Sequence, residues 1–409
     1  MLNILFVDDE LMLLSGLRRM LHPLRDKWDM DFVDSGEEAI KRMSQKPYDV
    51  LVTDMRMSGV DGLQLLNHAQ KEHPNVIRIV LSGHAEEEAI LQAVGPAHQY
   101  LSKPCDSDTL RDTVNRAWML KEQLEDSALA EVVSQMKSLP VLPNLYRRVV
   151  EMLNEPDVSF EELGEVISQD VAMTVKILQL VNSSFFGLSH RVTDVGHAVS
   201  LLGLNLIKSL ILSVGIFSQQ ELGKEYEEWL QTLTMHSLRT GVMARSIAKY
   251  EGKKAQFVDD VMLAGMLHDV GKLVFAAGFR EEYYDVIELT KTNSRPLWQL
   301  ELELFGVTHG DVGGYLLALW GLPSAVVEAV AFHHEPLRSS AIGTSPVAIV
   351  HIVDVLANQK DPLQNDVGFM NLDSRFLKKN GLFTRVEEWK NIDFCLSDAG
   401  IFLGGKAGE

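Results

Sequence analysis

Four short runs near the start of the chain constrain its fold more than any other feature. They are "NILFVDD" (Asn3 to Asp9), "YDVLVTD" (Tyr48 to Asp54), "VIRIVLSG" (Val76 to Gly83) and "QYLSKP" (Gln99 to Pro104). Each is strand-like, β-branched and aliphatic, and each delivers a polar residue at its C-terminal end: Asp8 and Asp9, Asp54, Ser82, Lys103. Helical stretches such as "LLSGLRRML" separate them. This alternation predicts a doubly wound parallel sheet, whose working site lies beyond the carboxyl ends of its strands.

Any one of these acids could simply cap the helix that follows it. Together they say more. Asp8, Asp9 and Asp54 converging on one edge would repel one another unless a hard cation sat among them, and oxygen donors without imidazole or thiolate favour Mg²⁺. A hydroxyl at Ser82 and an ammonium at Lys103 could neutralise a phosphoryl group carried on a carboxylate, with Asp54 as the nucleophile. From about Leu2 to Leu120 the chain resembles the receiver domain of two-component response regulators, a flavodoxin-like α/β fold. That resemblance implies a phosphoacceptor at Asp54 and a sensor histidine kinase as partner. It also implies Mg²⁺ held by Asp9, Asp54 and the backbone carbonyl of Arg56, with Asp8 acting through water. Ser82 and Lys103 would bind the phosphoryl group, Lys103-Pro104 would be cis, and Tyr100 would be the aromatic switch. Phosphorylation would draw Ser82 inward, with Tyr100 following, and alter the face made by the fourth helix, fifth strand and fifth helix of that fold, where dimerisation or output contact is expected. Ser58 departs from the family, which usually has Pro there.

A chain of 409 residues exceeds what one core fills, so a second domain is required. The formal charge of −19 disfavours nucleic acid as the main partner, since binding it requires clustered Lys and Arg to displace counterions. Cys105 and Cys395 form no motif and suit a reducing cytoplasm. The N-terminus lacks the pattern of a secretory signal. The apolar run from Val199 to Phe217 has the length of a membrane span, but Asn205 and Lys208 within it favour a core helix.

From Asp108 to Lys137 no Gly or Pro interrupts the chain, and one long connecting helix is expected, ended by Pro140 and Pro143. Beyond it the segments read as helical. "LPVLP", then "ISQDVAMTVKILQLVNSSFFG" (Ile167 to Gly187) and "HAVSLLGLNLIKSLILS" (His197 to Ser213), resemble the HDOD domain, an all-α output module of bacterial signalling proteins related to the HD phosphohydrolases. Val171 stands where that family usually has Pro. The expected organisation is a receiver domain over 1–120, a helical linker over 121–138, an HDOD domain over 139–358, and a C-terminal extension over 359–409 packed on it or trailing it.

Six of the 13 histidines fall in the later part of this domain. By resemblance to the HD superfamily, His236, His268, Asp269 and Asp354 are a first metal set, His309, His333 and His334 a second, and Lys272 a phosphate contact. Such a set suits Fe, Mn or Zn and could activate a bound water. HDOD domains are nevertheless generally non-catalytic, and an imidazole bonded to a carboxylate can persist as a satisfied buried pair. The Gly-Tyr-Pro element of cyclic di-GMP phosphodiesterases is also missing after the paired histidines, which read "HHEPLRSSAIGTSP". The expectation is therefore a non-catalytic output domain contacting a downstream signalling protein, with a phosphorylation-gated metallophosphohydrolase as the alternative.

Overall fold

A computed structural model describes residues 1–83, 96–123, 129, 132, 139–140, 143–153, 158–182, 191–212, 217–218, 224–293, 295–359 and 372–392. Most of the connector beyond Gln123, Val141 and Leu142 of "LPVLP", the "SSFFG" segment and the C-terminal tail with Cys395 lie outside these residues.

The N-terminal domain is a five-stranded parallel sheet of β1 (Leu2–Val7), β2 (Trp28–Val33), β3 (Val50–Asp54), β4 (Ile77–Gly83) and β5 (Gln99–Lys103), ordered β2-β1-β3-β4-β5. Around it lie α1 (Leu11–Leu21), α2 (Gly36–Gln45), α3 (Gly62–Glu72) and α4 (Ser107–Gln123). β3 is buried on both faces, as its unbroken apolar run requires. The strand order reverses between β1 and β3, which pair in register at Val7 and Thr53, so Asp8 and Asp54 leave the sheet side by side. Ser82 pairs with Ser102, and Gly83 with Lys103, bringing the remaining polar groups to the same edge.

The second domain is helical. Its elements are α5 (Pro143–Met152), α6 (Phe160–Ser168), α7 (Val171–Val181), α8 (Val195–Leu212), α9 (Lys224–Tyr250), α10 (Ala255–Leu267), α11 (Val270–Gly278), α12 (Arg280–Asn293), α13 (Leu297–Phe305), α14 (His309–Leu319), α15 (Ser324–Phe332) and α16 (Pro346–Gln359). Two-residue strands β6 (Leu139–Pro140) and β7 (Phe217–Ser218) pair in parallel, a departure from the purely helical reading. Asp170 caps α7 by accepting from the Met173 amide at 2.9 Å, so Val171 in the first turn leaves the helix start intact. The apolar run from Val199 is not one straight helix: α8 bends at Gly203, whose φ of 76° is non-helical, and Phe217 belongs to β7. The stretch Ala255–Gly278 is apolar and long enough to cross a membrane by composition, but it is folded into the protein as α10 and α11, with 83% of its most apolar 18-residue window buried. Near the C-terminus, α17 (Ser374–Asn380) and α18 (Phe383–Trp389) bury Phe376, Val386 and Trp389 against α9, α10 and α16.

Candidate functional site

At the carboxyl edge of the sheet, Lys103 Nζ lies 2.6 Å from Asp8 Oδ2 and in direct contact with Asp54 Oδ1. Asp54 Oδ2 accepts from the Arg56 amide at 2.8 Å, and Asp8 Oδ1 from the Glu10 amide at 2.9 Å. Asp8, Asp54 and Ser82 are buried, whereas Asp9 is exposed at the rim. Burial pushes the Asp54 carboxyl above its ordinary value; Lys103 opposes this and Asp8 adds to it. Burial would lower the Lys103 ammonium, but its two carboxylate partners outweigh that and raise it. Asp9 Oδ2 accepts from the Ser58 amide at 3.1 Å, a bond that proline at 58 could not supply. The Lys103-Pro104 bond is cis. The donor set is oxygen only, three carboxylates and the Arg56 carbonyl, which is what Mg²⁺ takes.

The second cluster is assembled from helix ends. His236 comes from α9, His268 and Asp269 from the α10–α11 junction, His309 from the first turn of α14, His333 and His334 from just after α15, and Asp354 from α16. Two glycine contacts make the approach possible. A Cβ on Gly265 would fall 2.8 Å from Gly241 Cα, where α10 crosses α9, and one on Gly271 would fall 2.0 Å from the His309 carbonyl oxygen, where α11 crosses α14.

His236 Nε2 thus lies 3.1 Å from His268 Nε2 and 3.0 Å from Asp354 Oδ1. His309 Nε2 lies 2.9 Å from His334 Nε2 and 3.3 Å from His333 Nε2. Asp269 stands between the two groups, with Oδ2 3.3 Å from His268 Nε2 and Oδ1 3.2 Å from His309 Nε2. Lys272 Nζ is 2.9 Å from Asp269 Oδ2.

Nδ1 of each of three rings faces an acceptor: His268 to the Gly265 carbonyl (2.7 Å), His333 to the Val330 carbonyl (2.7 Å) and His309 to Glu301 Oε2 (2.6 Å). Neutral rings held in that way turn their Nε2 lone pairs inward at one another, an arrangement that protons or a cation must relieve. Without a cation, protons do so. Burial would lower His268 and His309, but Asp269 and Asp354 raise the former to about 10, and Glu301 and Asp269 raise the latter to about 9. Burial, then the neighbouring His268 and His309, drives His333 down to about 3. Neither Asp269 oxygen has a hydrogen bond of acceptable geometry, although both are buried. Buried carboxylate oxygens beside convergent imidazole nitrogens fit divalent ions: His236, His268 and Asp354 would hold one, and Asp269, His309, His333 and His334 another.

Residues 4–115 match the family profile of the response regulator receiver domain, and residues 139–336 that of the HDOD domain. The chain is a receiver–HDOD protein. An uncharacterized protein of Treponema pallidum is 29% identical over 248 residues, 61% of this chain and 44% of its own length. The hydrogenase transcriptional regulatory protein HoxA of Cupriavidus necator is 35% identical over 117 residues, 28% of this chain and 24% of its own. The chain thus spans less than half the length of these curated relatives. Among solved structures, the MmoQ response regulator of Methylococcus capsulatus is 21% identical, covering 63% of this chain and 99% of its own, with a TM-score of 0.46. An HDOD domain protein of Geobacter sulfurreducens is 28% identical over 66% of this chain and 90% of its own, with a TM-score of 0.36.

Every receiver residue singled out from the sequence except Tyr100 lies at the carboxyl edge of the sheet, and all seven HDOD ligand candidates, with Lys272, lie in one cluster. Tyr100 instead is fully buried in β5, the strand whose Gln99 reaches the HDOD domain. There α4 packs on α14, and Gln99 Nε2 donates to the Leu319 carbonyl at the C-terminal end of α14. Arg78 is buried close by, its guanidinium bonded to the Pro74, Val76 and Pro96 carbonyls and to His98; burial lowers it to about 10.

Sequence reasoning missed three contributors. Glu301, fully buried on α13, accepts from the His309 amide (2.8 Å) and from the Tyr283 hydroxyl (2.7 Å) while orienting the His309 ring. Trp298 stacks on His334 with ring centroids 5.9 Å apart. Gln99 makes the domain contact. A glutamate eight residues before a ligand histidine carries no motif. His351 is not a ligand: its Nδ1 faces the His333 carbonyl at 2.6 Å and its Nε2 accepts from the Asp373 amide.

Proposed function

We propose that the protein is a cytoplasmic response regulator in which Asp54 takes a phosphoryl group from a sensor histidine kinase, and the HDOD domain is a non-catalytic output that contacts a downstream signalling protein. The observation that carries this reading is the acid–lysine cluster of Asp8, Asp9, Asp54 and Lys103 on a receiver whose β5–α4 side is covered by α14. Mg²⁺ on Asp9, Asp54 and the Arg56 carbonyl would screen the charge between an incoming phosphoryl group and the carboxylates. The side chains do the rest. Asp54 Oδ1 attacks the phosphorus, its new O–P bond forming as the P–N bond to the kinase's phosphohistidine breaks and the kinase imidazole leaves; Lys103, already against that oxygen, neutralises the phosphoryl oxygens, while Ser82 on the adjoining strand donates to them. The charge at this position, close to −2 where the carboxylate had −1, then reorganises β4 and β5, which carry both phosphoryl contacts and Gln99.

The closed state of the His/Asp centre supports a structural rather than catalytic use. Of its seven ligand residues only His334 has a side chain more than a tenth exposed, at 11%. Closed sites are where structural metals sit, whereas catalytic sites keep a position open. Acetyl phosphate with Mg²⁺ is expected to label the protein on one acid-stable, hydroxylamine-labile site and to leave Asp54→Ala unlabelled; labelling of the variant at the parent level would end this reading.

A further inference from the structure

A cleft of about 270 Å³ lies where α6 and the start of α8 face α9 and α10, apart from both clusters described above. Its floor is made by apolar side chains of α10. Its walls carry four carboxylates, from Glu161, Glu165, Asp194 and Asp259, and one guanidinium, from Arg245.

Several polar groups around it are already used. Thr174 Oγ1 donates to the Ile167 carbonyl, Ser168 Oγ donates to the Glu165 carbonyl, and Asp194 Oδ1 accepts from the His197 amide at the start of α8. Arg245 is different. Its Nε is buried and has no hydrogen-bond partner, and among the described residues no ion pair within 4 Å joins it to any of the four acids. Burial raises the Asp259 carboxyl; Arg245 pulls it back only in part, and Asp194 adds to the rise. Opposite charges thus face one space without closing on each other, with three negative charges in excess. That excess repels phosphates and nucleotides. The volume sits below the roughly 300–1,000 Å³ of pockets for drug-sized ligands, so the occupant is small.

We propose that this cleft binds a free α-amino acid with a cationic side chain, its carboxylate on Arg245 and its cationic groups among Glu161, Glu165 and Asp259. The ligand would brace α6 and α8 against α9 and α10, joining the first helices of the HDOD domain to the half that holds the His/Asp centre. The inference is independent of phosphorylation at Asp54.

Isothermal titration of the full-length protein tests it with L-arginine, L-lysine, L-glutamate and agmatine, which is arginine without its carboxylate. Arginine or lysine is expected to bind, agmatine about tenfold or more weaker, and glutamate not at all. Arg245→Gln should bring arginine and agmatine to the same affinity, and Asp259→Asn should weaken both, with circular dichroism and melting temperature showing that each variant is folded. Absence of heat with arginine and lysine at millimolar concentration, which is the result for a merely water-filled cleft, overturns the proposal. Binding of the parent protein that does not distinguish arginine from agmatine overturns it equally, without reference to any variant.

Discussion

Lys176 shows how much a single side chain in this protein carries. It is 3% exposed on α7, and burial pulls its ammonium down to about 7. The Trp320 ring 4.4 Å from Nζ and Gln179 Oε1 at 3.3 Å offset part of the cost of holding charge there. In the unfolded chain lysine titrates near 10.5. Between about pH 7 and 10 the unfolded state therefore binds more protons than the folded one, and this residue's contribution to stability rises with pH across that window. Lys176→Met should be more stable than the parent at pH 7 by roughly 1–4 kcal/mol, with the gap narrowing towards pH 10. Denaturant melts of both proteins at pH 7 and 9.5 check this, and a gap independent of pH would contradict it. Glu301 supports a second prediction. It sets the ring of His309 as carboxylates behind metal-bound histidines do, and losing such a partner typically costs 10–100-fold in affinity. Glu301→Gln should weaken binding of Mn²⁺ or Zn²⁺ by about that factor in a chelator competition. Asp269→Asn, which alters the carboxylate lying between the two histidine groups, should lower the bound metal per chain measured by mass spectrometry.

At the scale of elements, α14 links the parts of the HDOD domain. All of its residues are buried, its first turn supplies His309, and its last carbonyls meet the receiver. It is seated by glycines: a Cβ on Gly314 would meet Ala331 Cβ at 2.6 Å, and one on Gly271 would strike the His309 carbonyl. Gly271→Ala must push α11 from α14, costing about 1–3 kcal/mol or more by overpacking. It should lower the melting temperature by several degrees and release metal from the His309 side of the centre, both readable on one preparation. The sequence shows Gly313 and Gly314 as a pair of small residues in an apolar helix pattern, a composition that suits close helix crossing. It also made the parallel sheet legible, because each strand ended on a residue whose chemistry required the others. It did not show that Gly203 bends α8, since a glycine inside an apolar helix pattern reads the same whether straight or kinked. Nor did it show that Asp269 faces both ligand groups: spacing along the chain orders ligands but does not orient a carboxylate between them. Glu301 and Gln99 were illegible for a related reason, as each acts through contacts that the fold creates and belongs to no motif or repeat.

For the whole molecule, the receiver's β5–α4 side carries two possible contacts that exclude each other. In this conformation α14 packs on α4 and brings Tyr315 near Arg78, a buried guanidinium bonded to carbonyls and to His98. Among the described residues Arg78 has no carboxylate partner, and burying a guanidinium in that way is costly, so opening the contact would recover part of that cost. A receiver dimer through the same side requires α14 to leave it. Phosphorylation at Asp54, which pulls on Ser82 and Lys103 in β4 and β5, would shift the balance by way of the strands that carry Arg78 and Gln99. Beryllofluoride with Mg²⁺, a phosphoryl mimic, is therefore expected to speed amide hydrogen exchange in residues 96–101 and 315–322 together and to leave Asp54→Ala unchanged. Gln99→Ala, which removes the donor to the Leu319 carbonyl, should show part of that faster exchange without any mimic. If dimerisation follows release, light scattering should move from the 45.7 kDa of one chain to twice that mass only with the mimic present. Unchanged or slower exchange at 315–322 on adding beryllofluoride would mean that α14 is not released, and that the receiver signals to the HDOD domain across a closed interface.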